Sequence, residues 1–216
     1  MRFHTKSDFA EYYVSSADLV LDIGFVGQGK MFDDPMSAHH HLKSRAKEVY
    51  GLDIQDSPAY FQDPEHYKKI SAEQFYWEGK KFDVIFAGDL IEHLPNPGLF
   101  LDTCKMHLAA GGRLLFTTPN TFNIYNLMGK LTRREPITNS DHVCYFNETT
   151  LRTLLKKCGW NIQSIDSIYT LNIKYKESVQ KKFLNILYRL SMIWTDKYAE
   201  TLGVVAIPDV RDEDYH

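Results

Sequence analysis

Two acidic residues, Asp22 and Asp53, each close a short apolar run, and glycines crowd the turn after the first of them. The stretch from Asp18 to Gly29 reads Asp-Leu-Val-Leu-Asp-Ile-Gly-Phe-Val-Gly-Gln-Gly, a buried strand entering a turn that carries Gly24, Gly27 and Gly29. Glycines in such a turn let the backbone approach a ligand closely and open a helix behind it. The second run ends Gly51-Leu52-Asp53, and a carboxylate at a strand tip can accept two hydrogen bonds from a ribose diol. Together these features point to a nucleoside cofactor, either S-adenosylmethionine (SAM) or a dinucleotide.

Farther along, Asp89, Glu92 and His93 fall within one turn of chain. An imidazole titrates near neutral pH, so His93 is the leading candidate for a general base. The competing reading is local: Asp89-x-x-Glu92 has the spacing of a helix capping box. His142 heads a loop with Tyr145 and Phe146 that suits an acceptor pocket or plain packing, and Arg133 and Arg134 could grip an anionic acceptor. His39, His40 and His41 are adjacent, point in different directions on a helix and cannot share one ion. They read as a solvated helix start, and no metal site is expected.

These residues need a scaffold. Short apolar runs alternate with helical stretches, the pattern of βαβ units and a mostly parallel sheet. Strands are expected at Leu19–Ile23, Glu48–Asp53, Phe82–Ala87, Arg113–Thr117, Asn161–Ile168 and Val204–Ile207, with a weak one near Lys68–Ser71. Helices are expected at Ala38–Lys47, Gly98–Leu108, Glu148–Lys157 and Glu177–Ala199. Asn147 can cap the third of these, and Gly159 stands where a helix stops. The last two strands are compatible with either a parallel crossover or a hairpin with a long excursion.

A net charge of -3 leaves no electrostatic footprint for nucleic acid. Cys104, Cys144 and Cys158 form no CxxC pair, which argues against a zinc knuckle or a disulfide framework and fits a reducing cytoplasm. The first residues have no apolar signal core. The most apolar later stretch, Phe183 to Trp194, is interrupted by Asn185 and Arg189 and falls short of the ~20 residues a membrane span needs. A soluble protein is expected, with this helix covering the sheet edge or pocket and a homodimer contact as its next use.

Beyond these readings, the chain resembles the class I SAM-dependent methyltransferases, particularly their small-molecule branch. Val20-Leu21-Asp22-Ile23-Gly24 matches the first motif of that family and Asp53 its ribose-binding acid. Phe82 to Leu94, ending Asp89-Leu90-Ile91-Glu92-His93-Leu94, matches its fourth motif. Leu108-Ala109-Ala110-Gly111-Gly112-Arg113-Leu114 is similar to its turn into the fifth strand, and His142 to Trp160 to the segment before its sixth. The resemblance implies an α/β fold: a Rossmann-like, seven-stranded, mostly parallel sheet with an antiparallel last strand and helices on both faces. It implies one domain over residues 1–216, with residues 1–17 as an N-terminal lid and 171–201 as a helical excursion before the last strand. SAM is the implied cofactor. Asp22 and Gly24 would lie under its methionyl part with Gly27 and Gly29 close by, Asp53 would hold the ribose and Ile54 would pack on adenine. Ala72 and Glu73 occupy the place where the family often has an aspartate for the adenine amine. Asp89 and Leu90 would line the sulfonium side. Some members of this branch hold a divalent metal on the fourth motif, which Asp89, Glu92 and His93 would copy. The implied reaction is methyl transfer to a small-molecule acceptor, preferably a hydroxyl, with His93 as base.

Two other functions fit the bare residues. The glycine turn has one residue more than the family's usual form, which would suit a non-catalytic domain of the same fold. An NAD(P)-dependent oxidoreductase of the short-chain type needs Tyr-x-x-x-Lys on a helix, and Tyr76 to Lys80 has that spacing beside Gly79.

Overall fold

Runs such as Leu19–Ile23 and Phe82–Gly88 are apolar at nearly every position, which suits strands covered on both faces. In the computed structural model, which describes residues 1–27, 34–131, 139–169 and 196–209, they become central strands. The strands are β1 (Arg2–Phe3), β2 (Leu19–Ile23), β3 (Glu48–Asp53), β4 (Tyr67–Lys69), β5 (Phe82–Gly88), β6 (Leu108–Pro119), β7 (Trp160–Ile168) and β8 (Thr201–Pro208). The helices are α1 (Lys6–Tyr13), α2 (Ala38–Arg45), α3 (Pro58–Phe61), α4 (Pro97–His107), α5 (Ile124–Leu131) and α6 (Glu148–Lys157).

One sheet holds all eight strands in the order β1-β7-β8-β6-β5-β2-β3-β4. β8 runs antiparallel to both β6 and β7, and the other pairs are parallel. The expected reversed last strand is therefore present. Among the described residues the count is eight in place of the expected seven, because the two-residue β1 pairs with Ser167 and Ile168 of β7. Two residues are too short to carry a periodic signal, which is why β1 was not legible.

Alternate side chains serve opposite faces. Leu21, Ile85, Leu114 and Phe116 join one core with Phe100 of α4 and Leu151 of α6. Val20, Val84, Phe86, Leu115 and Val205 join the other with Phe9 of α1 and Leu42 of α2. α6 begins as expected: Asn147 Oδ1 accepts from the Thr150 amide at 3.0 Å, and Thr150 Oγ1 accepts from the Asn147 amide at 3.0 Å.

The N-terminal segment anticipated as a lid forms α1, closed by a capping box between Thr5 and Asp8. Phe9 and Ala10 are fully buried against the sheet. Phe9 packs so tightly over β8 that a Cβ placed on Gly203 would lie 2.7 Å from its ring. Arg113 of β6 donates to the Tyr13 carbonyl at 2.6 Å and pairs with Asp18 at 2.8 Å, fastening the end of α1 to the sheet. No described helix is long and apolar enough to cross a membrane. The helix expected at 177–199 lies outside the described residues except at its end, and Arg133 and Arg134 lie outside them entirely.

Candidate active site

The chain leaves β2 toward β3 and β4 on one side and later returns to place β5 on the other. This reversal opens a crevice between the carboxyl tips of β2 and β5, the place where open α/β sheets hold ligands. Gly24 and Gly27 stand at its β2 side with φ of +77° and +63°. A side chain at Gly24 would be strained by that φ, and its Cβ would lie 3.2 Å from Leu90, which packs against this glycine. Gly29 lies outside the described residues.

Asp53 ends β3 nearby and is buried. Its Oδ2 accepts from the Val26 amide at 2.9 Å and its Oδ1 from the Gln55 amide at 2.8 Å. A carboxylate offers about four acceptor positions, so each oxygen keeps one for a ligand hydroxyl. The next residue, Ile54, is 69% exposed, an apolar side chain presented at the rim. Ala72 is buried. Glu73 Oε1 accepts from the Asn96 amide at 2.5 Å, at the start of α4.

Asp22 is buried and tied to His39, with Nδ1 to Oδ2 at 3.0 Å. His39 Nε2 lies 3.2 Å from the Tyr67 hydroxyl, and Phe25 packs among His39, Tyr60 and Tyr67 with ring centroids 4.7 to 5.3 Å away. The expectation of a solvated histidine run is thus corrected at His39, which is buried. α2 turns one of three adjacent imidazoles inward, where a carboxylate, a hydroxyl and aromatic rings meet it.

At the β5 tip, Asp89 adopts φ of +48°, a backbone region costly for a residue with a side chain and often found at functional sites. Its amide donates to the Thr117 carbonyl at 3.0 Å, its Oδ1 accepts from Thr117 Oγ1 at 2.7 Å, and its carboxylate pairs with Lys6. The capping-box alternative fails. The 3-10 turn Ile91–His93 begins at Leu90 without a side-chain cap, and Glu92 turns instead to β6, where Thr118 Oγ1 donates to its Oε2 at 3.0 Å.

Glu92 is 1% exposed, and its Oε1 has no hydrogen-bond partner among the described residues. Burial pushes its carboxyl up to about 7, opposed by its own backbone, by Thr118 and by the charge of Lys6. It borders a cavity of about 110 Å³ lined also by Asn120, Asn126, His142, Tyr145 and Phe146. The loop 142–146 closes this cavity because the Val143 amide donates to the Glu92 carbonyl at 2.9 Å and Thr121 donates to the Phe146 carbonyl. His93 Nδ1 lies 3.2 Å from the Asp141 carbonyl, which can only accept, so Nδ1 is the donor in this contact. The His142 ring stands edge-on to His93 at 4.6 Å, and burial pushes its imidazole below the ordinary value. Glu92, His93 and His142 each present a donor atom within 4.8 Å of the others, a set able to share a metal ion. Asp89, expected in such a set, is held by Thr117 and Lys6 instead.

A family model described as a methyltransferase domain matches residues 16–165. The chain belongs to this methyltransferase-domain family. A 55-residue segment is 42% identical to the ubiquinone biosynthesis O-methyltransferase of Caulobacter sp. (strain K31), covering 25% of this chain and 22% of that protein. Among solved structures, the methyltransferase-domain chain is similar to one from the complex between the Haloferax volcanii Trm112 methyltransferase activator and a methyltransferase. There the TM-score is 0.65 and the identity 16%, over 94% of this chain and 87% of that one. A SAM-dependent methyltransferase from Archaeoglobus fulgidus gives 0.59 and 16%, over 93% and 94%. The Tyr76–Lys80 spacing considered for a dehydrogenase lies between β4 and β5 and not on a helix.

The sequence missed two contributors to this candidate site. Lys6 and Thr117 reach Asp89 from distant parts of the chain, and no local pattern marks them. His142 was noticed, but not its contact with His93.

Proposed function

We propose that the protein transfers the methyl group of SAM to a hydroxyl of a small-molecule acceptor, with His93 as the base. The observations that carry this reading are the contacts of His93: its Nδ1 lies 3.2 Å from the Asp141 carbonyl, and its ring meets that of His142, which lines the cavity. The O-methyltransferase name of the 42% identical relative supports a hydroxyl acceptor.

SAM arrives activated, because its sulfonium is a strong electrophile. The protein must align the acceptor behind the methyl carbon and remove the hydroxyl proton. In this reading Gly24 and Gly27 let the backbone approach the methionyl part, over the buried Asp22. Asp53 accepts from the ribose hydroxyls through its remaining lone pairs, and the exposed Ile54 covers one adenine face. The adenine edge meets the backbone around Ala72 and the Glu73 carboxylate, whose Oε1 also accepts from the Asn96 amide. Asp89 and Leu90 border the sulfonium, and the acceptor occupies the cavity above β5 and β6.

Calorimetric titration with SAM, S-adenosylhomocysteine (SAH) and NAD tests the cofactor site. SAM and SAH are expected to bind, and Asp53→Ala to weaken SAM by about 1–3 kcal/mol. Binding of NAD alone would overturn the proposal. With an acceptor found by screening hydroxylated compounds for SAH release, His93→Gln should lower kcat by about 10²- to 10⁴-fold while SAM affinity holds.

The orphaned Glu92 Oε1 favours a second reading, in which Glu92, His93 and His142 hold a divalent ion. Such an ion would supply Lewis acidity at the acceptor oxygen. Here His93 would be a ligand, and activity would vanish with a chelator and return with added metal.

A further inference from the structure

Lys6, the first residue of α1, is delivered to the tips of β5 and β6 by a helix fixed at both ends. Thr5 and Asp8 cap its start, and Arg113 holds the carbonyl of its last residue, Tyr13. The Lys6 ammonium pairs with the Asp89 carboxylate at the mouth of the β2–β5 crevice. Its charge also reaches Glu92, on the cavity side, where it opposes the effect of burial. One cation therefore stands where the crevice meets the acceptor cavity.

SAM and SAH differ at one atom in charge: the sulfonium of SAM is positive, and the thioether of SAH is neutral. A bare carboxylate at the crevice would favour SAM, whereas a carboxylate paired with an ammonium favours it far less. Thr117 holds Asp89 Oδ1 at 2.7 Å, and the Asp89 amide is bonded to β6 as well, so the carboxylate stays in place without Lys6. We infer that Lys6 sets the discrimination of this site between SAM and SAH by neutralising Asp89. The inference rests on reading the crevice as the SAM site. Occupancy then follows the ratio of the two cofactor forms, and accumulating product slows the enzyme.

The test is calorimetric titration of SAM and SAH into the wild type, Lys6→Met, Lys6→Arg, Asp89→Asn and the Lys6→Met/Asp89→Asn double variant. Lys6→Met should raise the preference for SAM over SAH by roughly three- to tenfold, a range set by a half-exposed charge pair. Lys6→Arg should keep the wild-type ratio, and adding Asp89→Asn to Lys6→Met should cancel the gain. Asp89→Asn alone should lower the preference for SAM, because Lys6 then faces the sulfonium unneutralised, and this arm stands even if Lys6→Met fails to fold. Equal weakening of both ligands, or an unmoved ratio in Lys6→Met and Asp89→Asn, would show that Lys6 only anchors α1 and would overturn the inference alone. A wild type that binds neither ligand would overturn the cofactor reading together with it.

Discussion

Replacing Glu92 by glutamine should make the protein more resistant to alkali. The carboxyl is 1% exposed, and its titration is displaced from the ordinary 4.5 to about 7, chiefly by burial. Because the folded-state value lies above the unfolded one, the native protein holds this proton more tightly than the unfolded chain does. The stabilisation is complete below about 4.5 and is lost as pH rises through about 7. A rise of that size corresponds to about 3 kcal/mol. Near-total burial leaves little solvent screening to reduce it. Glutamine keeps the shape and an acceptor for Thr118 but cannot ionise, so any packing cost it brings is the same at every pH. Urea denaturation of wild type and Glu92→Gln between pH 4.5 and 8.5 should show the variant gaining about 3 kcal/mol on the wild type across the range. In thermal melts the gain amounts to roughly 6–12 °C for a chain of this size. Parallel pH profiles would refute the reasoning, since they would mean that Glu92 is solvated or paired when ionised.

Two further substitutions probe the scaffold. His39→Ala should cost about 2–4 kcal/mol in urea, because it removes a buried ring and takes from Asp22 a partner 3.0 Å away. It should also loosen the β2 tip, seen as weaker SAM binding in calorimetry. Gly203→Ala would press a methyl to 2.7 Å from the buried Phe9 ring, and a loss of about 1–3 kcal/mol in thermal denaturation is expected.

How much the sequence disclosed depended on the range of the information. Leu19–Ile23 and Glu48–Asp53 were read with the bounds the structure shows, because short apolar runs ended by Gly24 and Asp53 carry their own limits. Asn147 was legible as a cap for the same reason: its partner is three residues away. The crevice residues Gly24, Asp53 and Asp89 could be named because the family motif places them at strand tips. What those side chains do could not be read. Asp89 depends on Lys6 and Thr117, Glu92 on Thr118, and Asp22 on His39, all far from their partners in the chain or on another element. The histidine run shows the limit most clearly. His39 differs from its neighbours only in which way α2 faces, and composition gives no hint of that.

The attachment of the first residues to the last strands bears on how the chain folds as it is made. Phe3 accepts from Tyr169, Tyr13 donates to Asp166, and Phe9 lies over Gly203. On the ribosome, therefore, α1 can cover Val20 and Leu42 early, but its contacts with β7 and β8 wait until those strands emerge. Pairings so distant in sequence slow folding and lengthen the time for which greasy surface meets water. Chains that stall before residue 160 should be clients of chaperones or proteases, even though β2, β3, β4, β5 and β6 are already complete.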